Sequence, residues 1–485
     1  MEKIFASIID NKNRIERDYK DCSDFLLREI DVCGTRCIVC VLDGMINSLM
    51  LSQMIMSPIL NHKFESENPC DFFEEIKLKV VNALEMSECE NFDDVYFYLS
   101  SGFAAVFVNG VSKALVMGIQ GFEKRKTEEP SNESNIKGAK ECFTETLNDN
   151  KAVLHRRIKS PKLKMKQFKI GNEVKTSVAV CYIKDVADMR LVADVENRIL
   201  SAPVDDLCDY GELAEFLDSD IKSYFTAVGN TERPDTLCSK LSEGRVAVLV
   251  DGSPYAVYVP YLFTDSFSTV DDYNNRPFYA TFNRLLKYFS FVISVLLPGF
   301  YVAVGTYHQE LLPASLMYTV AAAEASTPFS LMQEAVMVLI LYEIMREAGL
   351  RLPKTIGHAV SIIGALVIGD AVVNAGLVGA PMLVVVAVTA IASYVIYPLY
   401  ESISVLRIVF ILLGGFTGIY GVMLGVCALC VNVTSLNPYG VPYSSPISPF
   451  SRQSVADTFY RAGWKKLIRR NVRVQNLRGA DIDDD

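Results

Sequence analysis

The feature that most constrains this chain of 485 residues is a long apolar region between about Phe289 and Val433, which follows nearly three hundred polar and charged residues. Charges are sparse in this region. Several of them cluster between Glu343 and Lys354, so the apolar segments on either side are long enough to cross a bilayer. A spanning helix needs roughly 20 mostly apolar residues. The sequence therefore predicts a protein that acts at or across a membrane.

The composition argues against several classes of function. The formal net charge of −10 disfavours nucleic acid as a general partner, because phosphate binding requires clustered Lys and Arg. The N-terminal stretch MEKIFASIIDNKNRIERDYK has no apolar core, so we expect no cleaved secretory signal. The sequence contains no P-loop, no HExxH and no GxGxxG after a predicted strand. We therefore expect neither an enzyme nor a bound cofactor.

The cysteines are interpreted as reduced thiols, since ten of the twelve precede the apolar region in a domain that is not secreted. Cys33, Cys37 and Cys40 have C-x3-C-x2-C spacing that could begin a zinc site, but no nearby histidine supplies a fourth ligand. The run TRCIVCVLDGM is typical of a strand whose alternate residues face opposite sides. We predict small buried hydrophobic residues here and no metal site.

The polar half of the chain repeats itself. The segment LSSGFAAVFVNGVSKALV, from Leu99 to Val116, parallels LSEGRVAVLVDGSPYAVY, from Leu241 to Tyr258. Asn109-Gly110 and Asp251-Gly252 lie between β-rich runs, which predicts hairpins with two-residue type I′ turns. Upstream, TRCIVCVLDG parallels TSVAVCYIKD at nearly the same offset. These matches predict a duplicated α/β subdomain, the alternative being chance similarity between apolar strands.

These patterns define the fold class and four parts of the chain. We predict an α+β protein in which a duplicated cytoplasmic α/β subdomain is followed by a multi-span α-helical membrane domain. The cationic stretch from His155 to Lys166 is either a solvated connector or a surface for anionic headgroups or an acidic partner. The predicted parts are a first subdomain (1–126), a linker with the second subdomain (127–275), the transmembrane helical domain (276–433) and a basic cytoplasmic C-terminal tail (434–485).

The first predicted span is Phe289 to Tyr307. It follows Arg276, Arg284 and Lys287, so the positive-inside rule places the soluble half in the cytoplasm. Pro298-Gly299 in its middle should kink the helix.

Later segments give an ambiguous span count. A strict count gives five spans, whereas the basic tail around Trp464 is typical of a helix on the cytoplasmic leaflet. We therefore expect one apolar segment to be re-entrant or broken and both chain ends to lie inside. Gly414-Gly415 should allow the last span to bend. The predicted segments are 311–330 (re-entrant or interfacial), 331–345, 355–378, 381–399 and 407–433.

Ionisable groups inside a bilayer cost a few kcal/mol unless they are paired or hydrated, so they mark candidate sites. Asp370 lies within an apolar run and Asn374 follows one turn later on the same face. We predict that Asp370 and Asn374, and next Glu324 and Glu334, line a polar path. The alternative is a polar pair between helices, formed with Asn374 or with His358 of a neighbouring copy. Small residues at helical spacing predict close helix packing at Gly357, Ser361, Gly364 and Gly369.

At these residues the chain resembles the A subunits of the GerA-type spore germination receptors of endospore-forming bacteria. The resemblance rests on RPFYATFNRLLKYFSFVISVLLPGFYVAVGTYHQELLP, on the long motif from Met345 to Val378, on AVTAIASY and on NPYGVPYSSPISPF. KGAKECFTETLNDNKAVLHRRIKSPKL and GRVAVLVDGSPYAVYVP in the soluble half match as well. The resemblance extends from about Glu128 to Phe450.

The resemblance implies a multi-pass subunit of a nutrient-responsive complex in the spore inner membrane. It implies a transporter-like B subunit and a lipoprotein C subunit as partners, and a homo-oligomeric ring that releases ions. A receptor subunit and a member of a sister branch that acts downstream both fit these motifs. Two functions follow: a subunit of a gated ion channel with Asp370 near the pore, or a non-conducting membrane scaffold that assembles partners through its cytoplasmic domain. Asp370 within a span favours the channel.

Overall fold

The computed structural model of the chain describes residues 2–64, 68–83, 85–121, 133, 137–218, 223–352, 369, 371–450, 457–467 and 473–480. Two five-stranded antiparallel sheets form the N-terminal half, and long helices follow them. This confirms an α+β fold with a duplicated sheet subdomain.

The first subdomain has strand order β1-β2-β4-β5-β3. Two π-helical turns, Leu51–Met56 and Ile76–Val80, interrupt its helical layer. Its elements are α1 (Ile8–Asp18), β1 (Phe25–Val32), β2 (Thr35–Leu42), α2 (Ser48–Met50), α3 (Ser57–Asn61), α4 (Pro69–Glu75), β3 (Met86–Cys89), α5 (Phe92–Leu99), β4 (Phe103–Val108) and β5 (Ala114–Gly118).

The second subdomain repeats this topology as β6-β7-β9-β10-β8. Its elements are α6 (Leu147–Arg157), β6 (Leu163–Ile170), β7 (Thr176–Ile183), α7 (Met189–Ser201), α8 (Tyr210–Leu217), β8 (Gly229–Thr231), α9 (Pro234–Ser242), β9 (Val246–Val250) and β10 (Ala256–Val259).

Each sheet is buried on both faces. Cys37 and Cys40 are fully buried on β2 and belong to cores on opposite faces of the sheet, which confirms the predicted alternation. Two thiols on opposite faces of a strand cannot bind one ion. Within the described ranges, no group of three or more His, Cys, Asp or Glu is placed to hold a metal.

The prediction of two-residue type I′ turns is wrong. β4 ends at Val108 and β5 begins at Ala114, and Asn109 is not among the non-glycine residues with positive φ. The Asn109 side chain instead accepts a hydrogen bond of 3.2 Å from the N–H of Ile8, the first residue of α1. Asp251 accepts one of 3.0 Å from Leu147, the first residue of α6. The two side chains therefore accept from N–H groups that the start of a helix leaves without a partner in the helix. The connections between the paired strands are longer than the predicted two residues.

The helical domain begins after a short 3₁₀ turn (Phe263–Phe267). Within the described ranges, two helices are long and apolar enough to cross a membrane, Pro277–Tyr307 and Tyr397–Ser435. Its helices are α10 (Asp271–Asn274), α11 (Pro277–Tyr307), α12 (Ala314–Ala325), α13 (Leu331–Arg351), α14 (Val372–Asn374), α15 (Ala380–Tyr394) and α16 (Tyr400–Ser435), with 3₁₀ turns at Gln309–Leu311, Tyr397–Leu399 and Pro438–Gly440.

The break in the last long helix differs from the predicted one. The non-helical residue of α16 is Gly418, with φ 66° and ψ −151°, rather than Gly414-Gly415. Gly414 instead lies against Gly299 of α11, where an added Cβ would collide with the Gly299 carbonyl oxygen. A glycine at the helix contact thus permits close backbone approach, and the left-handed residue one turn later interrupts the helix.

The C-terminal tail packs against the rest of the chain. Its described elements are α17 (Trp464–Leu467) and a 3₁₀ turn, Val474–Asn476. Arg461 is buried and Trp464 is exposed. Val474 and Leu477 form a small core with Leu262 and Val441. The part of the tail that the structure describes is therefore docked on the second subdomain and the base of α11.

Candidate functional site

The structure describes three of the four predicted path residues, Glu324, Glu334 and Asn374. Asp370 lies outside the described residues, as do the packing candidates Gly357, Ser361 and Gly364. No described atom lies within 4 Å of the position that a Cβ on Gly369 would occupy.

Glu334 is buried, with 1% of its surface exposed, in the first turn of α13. Its Oε2 accepts a hydrogen bond of 3.1 Å from the N–H of Gly379, which caps the start of α15. The positive end of the helix dipole favours a carboxylate there. The second oxygen, Oε1, has no hydrogen-bond partner within the described ranges. This carboxylate can therefore accept a further donor or a cation.

Glu324 and Asn374 lie beside the same helix ends. Glu324 is half-buried at the end of α12, and its charge and that of Glu334 repel each other. A Cβ on Gly376 would lie 3.1 Å from the Ser326 carbonyl oxygen, so the segment that carries Asn374 packs against the end of α12. We term Glu324, Glu334 and Asn374 the acidic corner. Glu324, Glu334 and the segment that carries Asn374 thus lie around the place where α12, α13 and α15 meet.

Glu343 provides a contrast within α13. Its carboxylate accepts hydrogen bonds of 3.1 Å from the Tyr400 hydroxyl, 3.3 Å from the Ser404 hydroxyl and 2.9 Å from Arg346 Nε. The Arg346 guanidinium also stacks over the Tyr400 ring at 4.3 Å. Glu343 is therefore satisfied internally, unlike Glu334.

Arg407 is a candidate that hydropathy did not identify. It is fully buried on α16, and it donates hydrogen bonds of 3.0 Å to the carbonyl of Ser294 and 3.4 Å to that of Thr389. The last span is predicted to begin at Arg407 because this residue is charged. The helix α16 instead begins at Tyr400, two turns earlier. Pro398 was the available signal, because proline favours the first turn of a helix.

The base of α11 holds a buried ionic group. Arg284 is fully buried, with Nε 2.8 Å from Asp272 Oδ2 and Nη1 2.9 Å from Asp457 Oδ1. The Tyr273 hydroxyl donates to the other Asp457 oxygen at 2.9 Å. Burial raises the pKa of Asp457 above its usual range, and the Arg284 charge opposes that rise. We term Arg284, Asp272, Tyr273 and Asp457 the basal cluster. It joins the tail to the first long apolar helix, so Arg284 is not a free flanking charge.

The two subdomains meet at a buried histidine–carboxylate contact. His155 Nε2 lies 2.5 Å from Asp24 Oδ2, and both side chains are almost fully buried. Burial opposes ionisation of Asp24, but the charge and hydrogen bond of His155, with the charge of Lys151, keep its pKa below the usual range. Lys164 is also buried and donates to the Asp18 carbonyl at 2.5 Å. The cationic stretch is thus partly internal, and neither a solvated connector nor a headgroup surface describes it fully.

The chain is similar to one protein family and to several known bacterial proteins. Residues 13–473 match the family described as Bacillus/Clostridium GerA spore germination protein. The chain is 38% identical over 470 residues to the uncharacterized membrane protein YfkQ of Bacillus subtilis (strain 168), covering 96% of this chain and 91% of that protein. It is 34% identical over 466 residues to spore germination protein KA of the same strain, covering 95% and 85%.

The chain is also similar in structure to a solved germinant-receptor domain. It is the N-terminal domain of the A subunit of the Bacillus megaterium spore germinant receptor GerK3, with 23% identity, a TM-score of 0.41, and coverage of 54% of this chain and 98% of that one.

Proposed function

This chain belongs to the GerA family of Bacillus and Clostridium spore germination proteins, and on that premise we propose that it is an A subunit of a nutrient-responsive germination receptor that forms a gated ion channel. Copies of the chain assemble in the spore inner membrane as a multi-pass homo-oligomer. Its soluble half and tail face the cytoplasm or spore core. A transporter-like B subunit and a lipoprotein C subunit complete the receptor.

The observation that carries the channel proposal is the buried Glu334 carboxylate, whose Oε1 has no partner within the described ranges. An ionised group within a bilayer costs a few kcal/mol unless it is paired or hydrated, so a membrane anchor has no need of it. A carboxylate that is held by one backbone N–H and open on its other side suits transient cation binding.

Arg407 indicates where a cation path can run. Its described hydrogen bonds go to two carbonyls, so its positive charge lies among α11, α15 and α16 without a carboxylate in contact. Like charges repel strongly in a medium of low dielectric constant. A cation therefore avoids the centre of this bundle. The acidic corner, where Glu324 is half-buried and Asn374 is exposed, offers a face that a neighbouring copy can complete.

The test is cation efflux from liposomes that contain the full chain, alone and with the proposed partner subunits. We expect Glu334→Gln and Asp370→Asn each to lower efflux about tenfold, which corresponds to the loss of one favourable charge interaction of roughly 1.4 kcal/mol. Glu401→Gln is the matched control, because Glu401 is an exposed carboxylate at the start of α16.

Tight liposomes with confirmed insertion of all subunits would contradict the channel. The function would then be the non-conducting scaffold, in which the duplicated cytoplasmic subdomains recruit germination partners and the helices serve as an anchor.

A further inference from the structure

One guanidinium connects three helices of the helical domain. Arg407, on α16, is fully buried. Its Nε donates to the Ser294 carbonyl of α11 at 3.0 Å, and its Nη2 donates to the Thr389 carbonyl of α15 at 3.4 Å. Burying a long cationic side chain is unfavourable unless its donors meet fixed acceptors, so the choice of acceptors needs a physical explanation.

The Ser294 carbonyl is available because of Pro298. In an α-helix a carbonyl accepts from the N–H four residues later, and for Ser294 that residue is Pro298, which lies inside α11 and has no N–H. Within an apolar bundle such an orphan carbonyl needs a replacement donor. Arg407 Nε is that donor. Proline and arginine, 109 positions apart in the sequence, thus form one hydrogen-bonding unit.

The backbones of α11 and α16 touch beside this unit. A Cβ on Gly299 would collide with the Phe410 carbonyl oxygen, and one on Gly414 would collide with the Gly299 carbonyl oxygen. Glycine is required at both places because any side chain would force the helices apart. The arginine bond at Ser294 and the glycine contact at Gly299 therefore both join α11 to α16, five residues apart along α11.

We infer that Arg407 is a positioning residue that clamps the proline site of α11 and makes α11 and α16 move as one body. The clamp acts through Ser294, and it requires the carbonyl that Pro298 leaves open. Its consequence for gating rests on the proposed channel function. A loose α11 would let the resting channel leak, whereas a clamped pair transmits movement at the basal cluster to the bundle.

A double-mutant cycle tests this pairing. Arg407→Met removes the donor at similar length, and Pro298→Ala restores the helical N–H to the Ser294 carbonyl. For the detergent-solubilised full chain we expect Arg407→Met to lower the apparent Tm by about 5 °C in the native background and by less than half of that in the Pro298→Ala background. Pro381→Ala, in the first turn of α15, is the control background and should show no such coupling.

Equal losses in both backgrounds would overturn the inference. If Arg407→Met alone does not accumulate, accumulation of the double variant supports it and failure of both contradicts it. Arg407→Lys keeps one donor and should recover part of the loss, which a purely space-filling role would not require.

The Tm cycle needs no ion conduction, so its result is independent of the channel proposal. If the Tm cycle shows coupling but the liposomes do not leak ions, the clamp is supported and the channel is contradicted. Conversely, if ions leave the liposomes but the Tm cycle shows no coupling between Arg407 and Pro298, the channel is supported and the clamp is contradicted.

Discussion

The two sheet subdomains share one topology but differ in what lies beside the end of the last strand. In the first copy Gln120 pairs with Ile46, so the chain after β5 closes its own subdomain. In the second copy the C-terminal tail takes the matching place, where Gln475 Nε2 donates to the Val186 carbonyl at 2.7 Å. The duplicated fold is thus completed once from within and once by a segment from the far end of the chain.

Two equivalent glycines show that the places correspond. Gly102 has φ +85° and Gly244 has φ +89°. A Cβ on Gly102 would lie 2.9 Å from the Met45 carbonyl oxygen and 3.1 Å from Gln120. A Cβ on Gly244 would lie 2.9 Å from the Val186 carbonyl oxygen and 2.6 Å from Gln475.

This difference links the second copy to the helical domain. Because the tail occupies this place beside Val186 and Gly244, the residues after β10 are free to lead into α11. The same tail contributes Asp457 to the basal cluster around Arg284. Duplication therefore provides the fold, and the tail provides the connection between the second sheet and the first long apolar helix.

Breaking that connection should have the largest effect. Arg284→Met removes both ion pairs of the basal cluster. Asp272 keeps hydrogen bonds from Thr269 and the Lys287 ammonium at 3.9 Å, and Asp457 keeps the bond from the Tyr273 hydroxyl. Removing one member of a buried ion pair costs about 3–5 kcal/mol. We expect a corresponding fall in the unfolding free energy of the full chain in detergent. The control is Lys12→Met, which removes a partly exposed ion pair with Glu29 in the first copy and should cost far less, because solvent screens this pair. Equal losses in the two variants would refute a special role for the basal cluster.

The glycine pair sharpens the comparison next. Gly102→Ala and Gly244→Ala each force a non-glycine residue into the left-handed region against a carbonyl oxygen, at about 1–3 kcal/mol. Unfolding free energies should fall by similar amounts. Only Gly244→Ala should also release the tail, because its methyl group meets Gln475, and limited proteolysis of the tail measures this. Tail cleavage that is the same in both variants would mean that the tail is not held at the Gly244 place.

The duplication could be predicted because its signals are local. Alternate residues of β2 face opposite sides of the sheet, as its sequence predicts. Gly102 and Gly244 mark the equivalent turns before β4 and β9. The type I′ turns could not be predicted from Asn109-Gly110, because the Asn109 side chain serves a helix that is distant in sequence. The docking of the tail depends on contacts such as Gln475 with Val186, 289 residues apart, for which no local pattern exists.

The candidate site was predictable to the extent that its residues are acidic and surrounded by apolar sequence, as Glu324 and Glu334 are. Which carboxylate keeps an oxygen without a partner depends on packing. Glu343 accepts a hydrogen bond from Tyr400, whereas within the described residues the Glu334 side chain accepts one only from the Gly379 N–H. The role of Arg407 could not be predicted, because its acceptor, the Ser294 carbonyl, is available only where Pro298 in another helix lacks an N–H.

Acid should distinguish the two copies. Asp265 is buried beside Arg245 and Lys240, at 2.6 and 2.8 Å, whereas the first copy has Phe103 in the place of Arg245. Burial opposes ionisation of Asp265, but these charges outweigh it and hold its pKa below the usual range. Its stabilising contribution is therefore present above the ordinary carboxyl pKa and is lost as the pH falls through that value towards the folded one.

We expect amide protection in β9 and β10 to fall more than in β4 and β5 as the pH is lowered from 7 to below the ordinary carboxyl pKa of about 3.9, and the difference approaches roughly 1.4 kcal/mol per unit of pKa shift as the pH reaches the folded value. Peptide-resolved hydrogen exchange, corrected for the intrinsic pH dependence, measures the difference. Asp265→Asn should abolish it. A difference that persists in this variant would assign the acid sensitivity to another group.

The smallest effect concerns the two glutamines themselves. Gln475→Ala removes a side-chain donor to the Val186 carbonyl, whereas Gln120 pairs with Ile46 through its backbone, which Gln120→Ala retains. A single hydrogen bond contributes about 1 kcal/mol. Gln475→Ala should therefore raise the rate of tail cleavage about fivefold, since cleavage follows the population of the undocked tail, and Gln120→Ala should leave that rate unchanged. If Gln475→Ala has no effect, the tail is held by Val474 and Leu477 in their shared core with Leu262, and the side-chain bond is incidental to docking.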